Sequence, residues 1–232
     1  MCTVNAGDVL TYLEMCSFEK ASLQRGMNFH LAGHVSVLLM STRDGAPYDD
    51  RLEEDGRVLI YEGHDVPNTK DGPDPKSVDQ PMRHDSGSFT QNGHFYGAAD
   101  RVRESDQDRE LVRVYEKVRK GIWVFNGTFD LVDAWIEASG GRDVFKFRLQ
   151  LLDVQPGTDG PIAVPSHNRL IPSAVKQEVW KRDGGRCVMC ESTDHLHFDH
   201  VIPFSRGGAS ILAENIQLLC ARHNLEKRDR IE

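Results

Sequence analysis

Two short segments near the C-terminus, Cys187-Val-Met-Cys190 and Cys220-Ala-Arg-His223, constrain this chain more than anything else in it. Four soft or borderline ligands in this pattern can close a tetrahedral shell around Zn²⁺, and a closed shell without an open position is structural. Asp199-His200, Asn215 and Asn224 stand among these ligands and are left unspent by that shell. Asp and Asn offer hard oxygens suited to Mg²⁺ or Mn²⁺, and His is the side chain best placed to move a proton near pH 7. The set reads as metal-assisted hydrolysis of a phosphodiester.

The rest of the chain must accommodate that small zinc-stapled unit. With 232 residues, 39% of them hydrophobic, one medium and one small domain are expected. The most apolar window, Val35 to Met40, is too short to span a bilayer, and the N-terminus lacks the basic-then-apolar layout of a leader. Three of the five cysteines fall in the zinc pattern, which points to a reducing, cytoplasmic setting in which Cys2 and Cys16 are plain thiols. A net charge of −8 argues against a globally basic nucleic-acid binder. Residues 173–232 balance nine basic against nine acidic side chains, so a nucleic-acid partner needs local basic faces.

Residues 155–172 hold four prolines and little periodicity, and mark a linker (156–172) between an N-terminal domain (1–155) and a C-terminal one (173–232). A linker of this length does not require the two to be rigidly docked. Strand patterns cover Val35–Ser41, Val58–Glu62, Ile122–Phe125, Thr128–Ala138 and Val144–Leu152. Leu111, Val114, Tyr115 and Val118 recur at helical spacing and predict a helix over Gln107–Lys120, with Arg109, Arg113, Lys117, Arg119 and Lys120 on a solvated face. Trp123, Phe125, Trp135, Phe145 and Phe147 are expected in the core. The polar stretch Gly63–Gln91 is too long for an ordinary connection and is either disordered or functional. The C-terminal segment reads as a helix, a Cys-x-x-Cys turn, two short strands and a last helix, a ββα unit wrapped on zinc. The fold class is α+β.

The strings Asp199-His200-Val-Ile-Pro203, Glu214-Asn215-Ile-Gln-Leu-Leu-Cys220 and Cys220-Ala-Arg-His223-Asn224-Leu-Glu-Lys227 resemble the HNH endonuclease family. His223 replaces a zinc-binding Cys of that pattern, and Asn224 a metal-binding His. The resemblance implies structural Zn²⁺ on Cys187, Cys190, Cys220 and His223, and catalytic Mg²⁺ or Mn²⁺ on Asp199 and Asn224. It implies that His200 activates water, that Asn215 orients the His200 ring, and that Lys227 and Arg228 contact phosphates. A zinc-stapled binding finger with a structural His200 is the plainer alternative. His195 and His197 are expected to be exposed or packed rather than ligands.

In the N-terminal part, Gly33-His-Val-Ser-Val-Leu-Leu-Met-Ser41, Tyr48-Asp49-Asp50 and Leu59-Ile-Tyr61-Glu62-Gly63, with Asp79-Gln80 and Thr90-Gln91-Asn92, resemble the SRA or YDG domain. This family reads 5-methylcytosine and 5-hydroxymethylcytosine by base flipping, and the resemblance implies a twisted β-barrel. By position, Tyr48 and Tyr61 are the stacking pair and Asp50 the carboxylate for the exocyclic amine, with Asp49 in reserve; in the loop, Lys70, Lys76, Arg83 and His84 are the candidates to fill the vacated base position. Joined, the two resemblances describe a bacterial modification-dependent restriction endonuclease that cuts double-stranded DNA as a homodimer. A reader with an inert zinc domain, and an HNH nuclease for unmodified DNA, are the alternatives.

Overall fold

The computed structural model describes residues 4–23, 26–31, 35–105, 109–152, 170–203 and 207–227. Cys2, Gly33, His34, Arg228 and most of the linker lie outside them. The N-terminal part is built on one eight-stranded sheet. Its strands are β1 (Val9–Thr11), β2 (Met27–Leu31), β3 (Val35–Met40), β4 (Arg51–Glu53), β5 (Val58–Glu62), β6 (Leu111–Arg119), β7 (Ile122–Ser139) and β8 (Arg142–Leu151). They run in the order β2-β3-β6-β7-β8-β5-β4, with β1 on β7. All neighbours are antiparallel except β3 and β6.

Helix α1 (Tyr12–Glu19) starts directly from β1, because Thr11 and Glu14 form a reciprocal capping box. Helix α2 (Gln91–Glu104) is capped by Thr90, whose hydroxyl accepts from Gly93 N at 3.2 Å. It covers the sheet with Phe95, Ala98 and Ala99 against Phe147, Leu149 and Leu59. Strands β7 and β8 are joined by Gly140-Gly141, both at positive φ (61° and 84°), with Ser139 opposite Arg142. A two-residue loop of this kind needs left-handed backbone at both central positions, which glycine reaches without steric cost.

The helix predicted over Gln107–Lys120 is instead strand β6. Val112, Val114, Glu116 and Val118 are buried at strand spacing, and Tyr115 is buried as well, against the second small cluster of Met15, Leu23 and Phe125. A strand covered on both faces shows apolar residues at i, i+3 and i+4 as readily as a helix does. The β-branched valines were the better guide. Trp123 and Trp135 are only partly buried, whereas Phe125, Phe145 and Phe147 are core.

The stretch 63–90 has no helix or named strand, yet it is tied down. Gln80 donates to Gly63 O at 2.7 Å and accepts from Phe145 N at 2.8 Å, and Arg142 reaches Asp65 at 2.6 Å. A small hairpin closes between Arg83 and Phe89.

The C-terminal part comprises α3 (Ser173–Arg182), β9 (Leu196–His200), β10 (Ile216–Cys220) and α4 (Ala221–Lys227), with β9 and β10 antiparallel. It is docked on the sheet, not loosely tethered to it. Val118 and Val124 of the sheet share one apolar cluster with Val175, Val179, Leu196, Phe198 and Ile216. Lys176 of α3, 2% exposed, places its ammonium 2.6 Å from both Glu116 Oε2 and Asn126 Oδ1. The N-terminal segment stitches the two sheets. Gly7 N donates to Phe125 O, Phe198 N donates to Gly7 O at 3.0 Å, and Asp8 pairs with His197 at 2.5 Å.

Candidate active site and base-binding cluster

Cys187 and Cys190 lie on the turn after α3, Cys220 ends β10, and His223 sits in the first turn of α4. Cys187 Sγ and Cys220 Sγ stand 3.3 and 3.4 Å from His223 Nδ1, and Cys190 Sγ is 3.8 Å from Cys220 Sγ. All four donor atoms fall within 4.8 Å of one another. Ligands held about 2.0–2.3 Å from one tetrahedral centre must keep edges of roughly 3.5–3.8 Å, so the four positions suit a zinc ion. Burial raises the Cys187 thiol pKa, but backbone N–H groups of Cys220 and Met189 and the His223 ring outweigh it and bring it down to about 6. A thiol so tuned is largely thiolate at neutral pH, the form that binds metal.

Strand β9 delivers Asp199 and His200 to a cavity of about 560 Å³, which Asn224 of α4 also lines. The opposite wall belongs to the sheet and the N-terminal segment, including Gly7, Arg113, Gly127 and Thr128. The nuclease-type residues thus face the N-terminal domain. His200 Nε2 lies 2.8 Å from Ser210 Oγ. Burial lowers its pKa, the charge of Asp199 opposes this, and Lys227 adds to it. The net shift favours the neutral imidazole.

Asn215 does not touch the His200 ring. Its Oδ1 accepts from Ile202 N at 2.8 Å, and its Nδ2 donates to Ile202 O and Ala209 O, both at 3.1 Å. It clamps the connection that follows β9, and His200 is paired across to Ile216, the next residue. Lys227 is likewise not an exposed phosphate contact. It is 1% exposed, and its ammonium donates to Asp199 Oδ2 and His200 O. The two hard oxygens bridged by this ammonium, with Asn224 lining the same cavity, are donors of the kind that suits Mg²⁺ or Mn²⁺.

At the other end of the sheet, the residues singled out for base reading do converge, with altered parts. Tyr48 stacks on His64, centroids 5.0 Å apart and rings 12° from parallel, and Lys76 Nζ sits 4.4 Å from the Tyr48 centroid. Tyr61 is 1% exposed and belongs to the core; its hydroxyl reaches His64 Nε2 at 3.1 Å. A ring so enclosed cannot stack on an incoming base. Asp50 accepts from Ser41 N and Glu62 N, both at 3.1 Å, and so ties the Tyr48 loop to β5; burial pushes its pKa up to about 7 against those two bonds. The exposed carboxylate of the pair is Asp49. Beneath them lies a buried charge network: Lys146 on Glu62 at 3.0 Å and Arg142 on Asp65 at 2.6 Å. His64, Glu62, Asp65, Arg142 and Lys146 were not selected from sequence. Charged residues at buried strand ends carry no periodic signal, and only the SRA-like string through Gly63 hinted at their neighbourhood.

The HNH endonuclease family model matches residues 187–230. Among solved structures, the chain aligns with the SUVH5 SRA domain in complex with hemi methylated CG DNA at 22% identity, covering 72% of this chain and 96% of that one, TM-score 0.45. The same domain bound to fully hydroxymethylated CG DNA aligns at 24% identity over 70% and 95%, TM-score 0.45. Arabidopsis thaliana SUVH6 in complex with SAM aligns at 21% over 75% of this chain and 29% of that chain, TM-score 0.45. No curated protein matches the chain. In architecture, the chain joins an eight-stranded β domain to a C-terminal segment that matches the HNH endonuclease family.

Proposed function

We propose that this protein is a metal-dependent endonuclease directed to DNA that carries 5-methylcytosine or 5-hydroxymethylcytosine. The observation that carries the nuclease half is the strand end at which Asp199, His200 and Asn224 line one cavity beside the Cys₃His cluster. His200, kept neutral by burial, accepts the proton of the attacking water. Ser210 fixes one ring nitrogen, and Asn215 holds the backbone that carries the ring. Asp199 and Asn224 hold a divalent ion, which supplies charge stabilisation at the scissile phosphate and the leaving oxygen. Zinc on Cys187, Cys190, Cys220 and His223 fixes α4 against β10, and with it the distance from Asn224 to Asp199.

Support for the reader half is the Tyr48–His64 pair above its charge network. A base inserted between two rings needs about 3.5 Å on each side, so rings 5.0 Å apart must part by roughly 2 Å. His64, held on a loop by Asn92, is the partner that moves, and Tyr48 is the stacking platform. Asp49, exposed at the rim, accepts from the exocyclic amine, while Asp50 keeps the loop in place. One such nuclease site cuts one strand, so a double-strand break requires two protomers, and a homodimer on DNA is part of the proposal.

The test is digestion of matched plasmids containing cytosine, 5-methylcytosine or 5-hydroxymethylcytosine with Mg²⁺ or Mn²⁺, using wild type, Tyr48→Ala and His200→Ala. Cutting confined to modified plasmid, lost in both variants, is expected. Equal cutting of all three would remove the reader assignment, and cutting by His200→Ala would remove the nuclease mechanism.

A further inference from the structure

Lysine is rarely enclosed, and Lys227 is enclosed at the one place where the reading above puts a divalent ion. It closes α4 three residues after Asn224, so both side chains project from the same helical face toward the end of β9. Its ammonium bridges a carboxylate oxygen of Asp199 and the carbonyl oxygen of His200, which are hard ligands of the kind a small cation seeks. Asp199 is also the residue with which Asn224 shares the cavity.

We infer that Lys227 is a built-in occupant of the divalent-ion seat, displaced from Asp199 when a metal ion binds and turned outward into the cavity. The inference rests on Asp199 and Asn224 being the metal ligands. An ammonium and a divalent cation competing for the same carboxylate repel each other, and in a partly buried site this favours departure of one of them. The lysine can do so because its four-carbon stem is flexible and its charge is a compact point, whereas a fixed metal gains all the oxygens at once. In the metal-free state the lysine neutralises Asp199 and keeps β9 and α4 together. In the metal-bound state its charge is free to meet the phosphate of the strand to be cut. The same residue thus lowers metal affinity until DNA offers its charge another partner, and metal and DNA bind cooperatively.

Zinc-loaded full-length protein without DNA provides the test. Mn²⁺ binding is followed by electron paramagnetic resonance for wild type, Lys227→Met and Asp199→Ala. Lys227→Met is expected to bind Mn²⁺ at least about tenfold more tightly, the scale on which one neighbouring charge shifts an equilibrium. Asp199→Ala is expected to lose the binding. In parallel, acetylation of wild-type Lys227 with a lysine-reactive ester, read by mass spectrometry, is expected to rise on adding Mn²⁺. Equal or weaker binding by a Lys227→Met protein with native zinc content and melting temperature overturns the inference. So does labelling of Lys227 that Mn²⁺ leaves unchanged, which needs no variant to fold. Because neither measurement involves DNA, failure here is distinct from failure to discriminate modified plasmid.

Discussion

Replacing Lys176 by Met isolates the contact that fastens the C-terminal part to the sheet. The lysine is 2% exposed and its partner Glu116 1%, with 2.6 Å between ammonium and carboxylate and Asn126 bonded to both. Removing one partner of a fully buried pair leaves an uncompensated charge and typically costs about 3–5 kcal/mol. In a chain of this length, each kcal/mol is worth about 2–4 °C of melting temperature, so a fall of roughly 6–20 °C follows. The pH dependence gives a sharper signature. Burial alone would raise the Glu116 pKa, but Lys176 overrides it and holds the carboxyl below its ordinary range. A folded pKa below the unfolded one means stability is present above the ordinary carboxylate range and lost as pH falls through the folded value. Without Lys176, burial dominates and the folded pKa lies above the unfolded one, so the penalty is full at high pH and relieved as pH falls. Denaturant unfolding of zinc-loaded protein should therefore show a large deficit at pH 8 that shrinks at pH 5, and Lys176→Met/Glu116→Gln should recover most of it. A deficit under about 1 kcal/mol at pH 8, or one of equal size at both pH values, would refute the assignment of this pair as a buried, mutually dependent lock.

Three further outcomes are expected. Stripping zinc with a strong chelator, or making Cys187→Ser, should abolish native near-ultraviolet circular dichroism from Trp180 and collapse nuclease activity together, because a structural zinc site holds folding energy of about 10–16 kcal/mol; activity surviving full zinc loss would exclude the role. Asn215→Ala removes three hydrogen bonds to the backbone at Ile202 and Ala209; it should destabilise by about 1–3 kcal/mol and lower kcat with little change in DNA affinity, and a change in affinity alone would count against positioning. Tyr48→Ala should weaken binding to modified duplex by about 1–3 kcal/mol, roughly 5- to 150-fold, while unmodified duplex binds as before; titrations by fluorescence anisotropy distinguish this from uniform weakening.

The four residues of the Cys₃His cluster were legible because ligand chemistry and spacing within each pair are local: two pairs, each within one turn, name their own partners. Asp199 and His200 were legible as a pair for the same reason. Lys227 and Asn215 were found as residues and misread in action, since a sequence shows which groups lie near a site and not which hydrogen bonds they satisfy. Lys227 looked like a surface cation one turn beyond Asn224, and tertiary packing turned it inward onto Asp199. Tyr61 was chosen as a stacking ring, and the closure of β5 against β8 buried it. His64 was missed because a lone histidine after a strand has no pattern, and it gains meaning only beside Tyr48.

The strands of the N-terminal domain show the same division. Alternation found β8 and a short apolar run found β5, while β6 was taken for a helix, because a strand with neighbours on both faces loses the alternation that marks a half-buried one. Sequence by itself pointed to the Cys₃His cluster, the ββα unit and the Asp199-His200 strand end, because each is marked by residue types at short, fixed spacings. The tertiary structure decided where that chemistry faces. Val118, Val124 and Glu116 of the sheet meet Val175, Val179 and Lys176 of α3 across a long separation in the chain. That meeting turns a linker that did not require the two domains to dock rigidly into a docked pair, with Asp199, His200 and Asn224 lining a cavity against the N-terminal sheet. Burial of complementary surface between distant segments sets this orientation, and no local pattern encodes it.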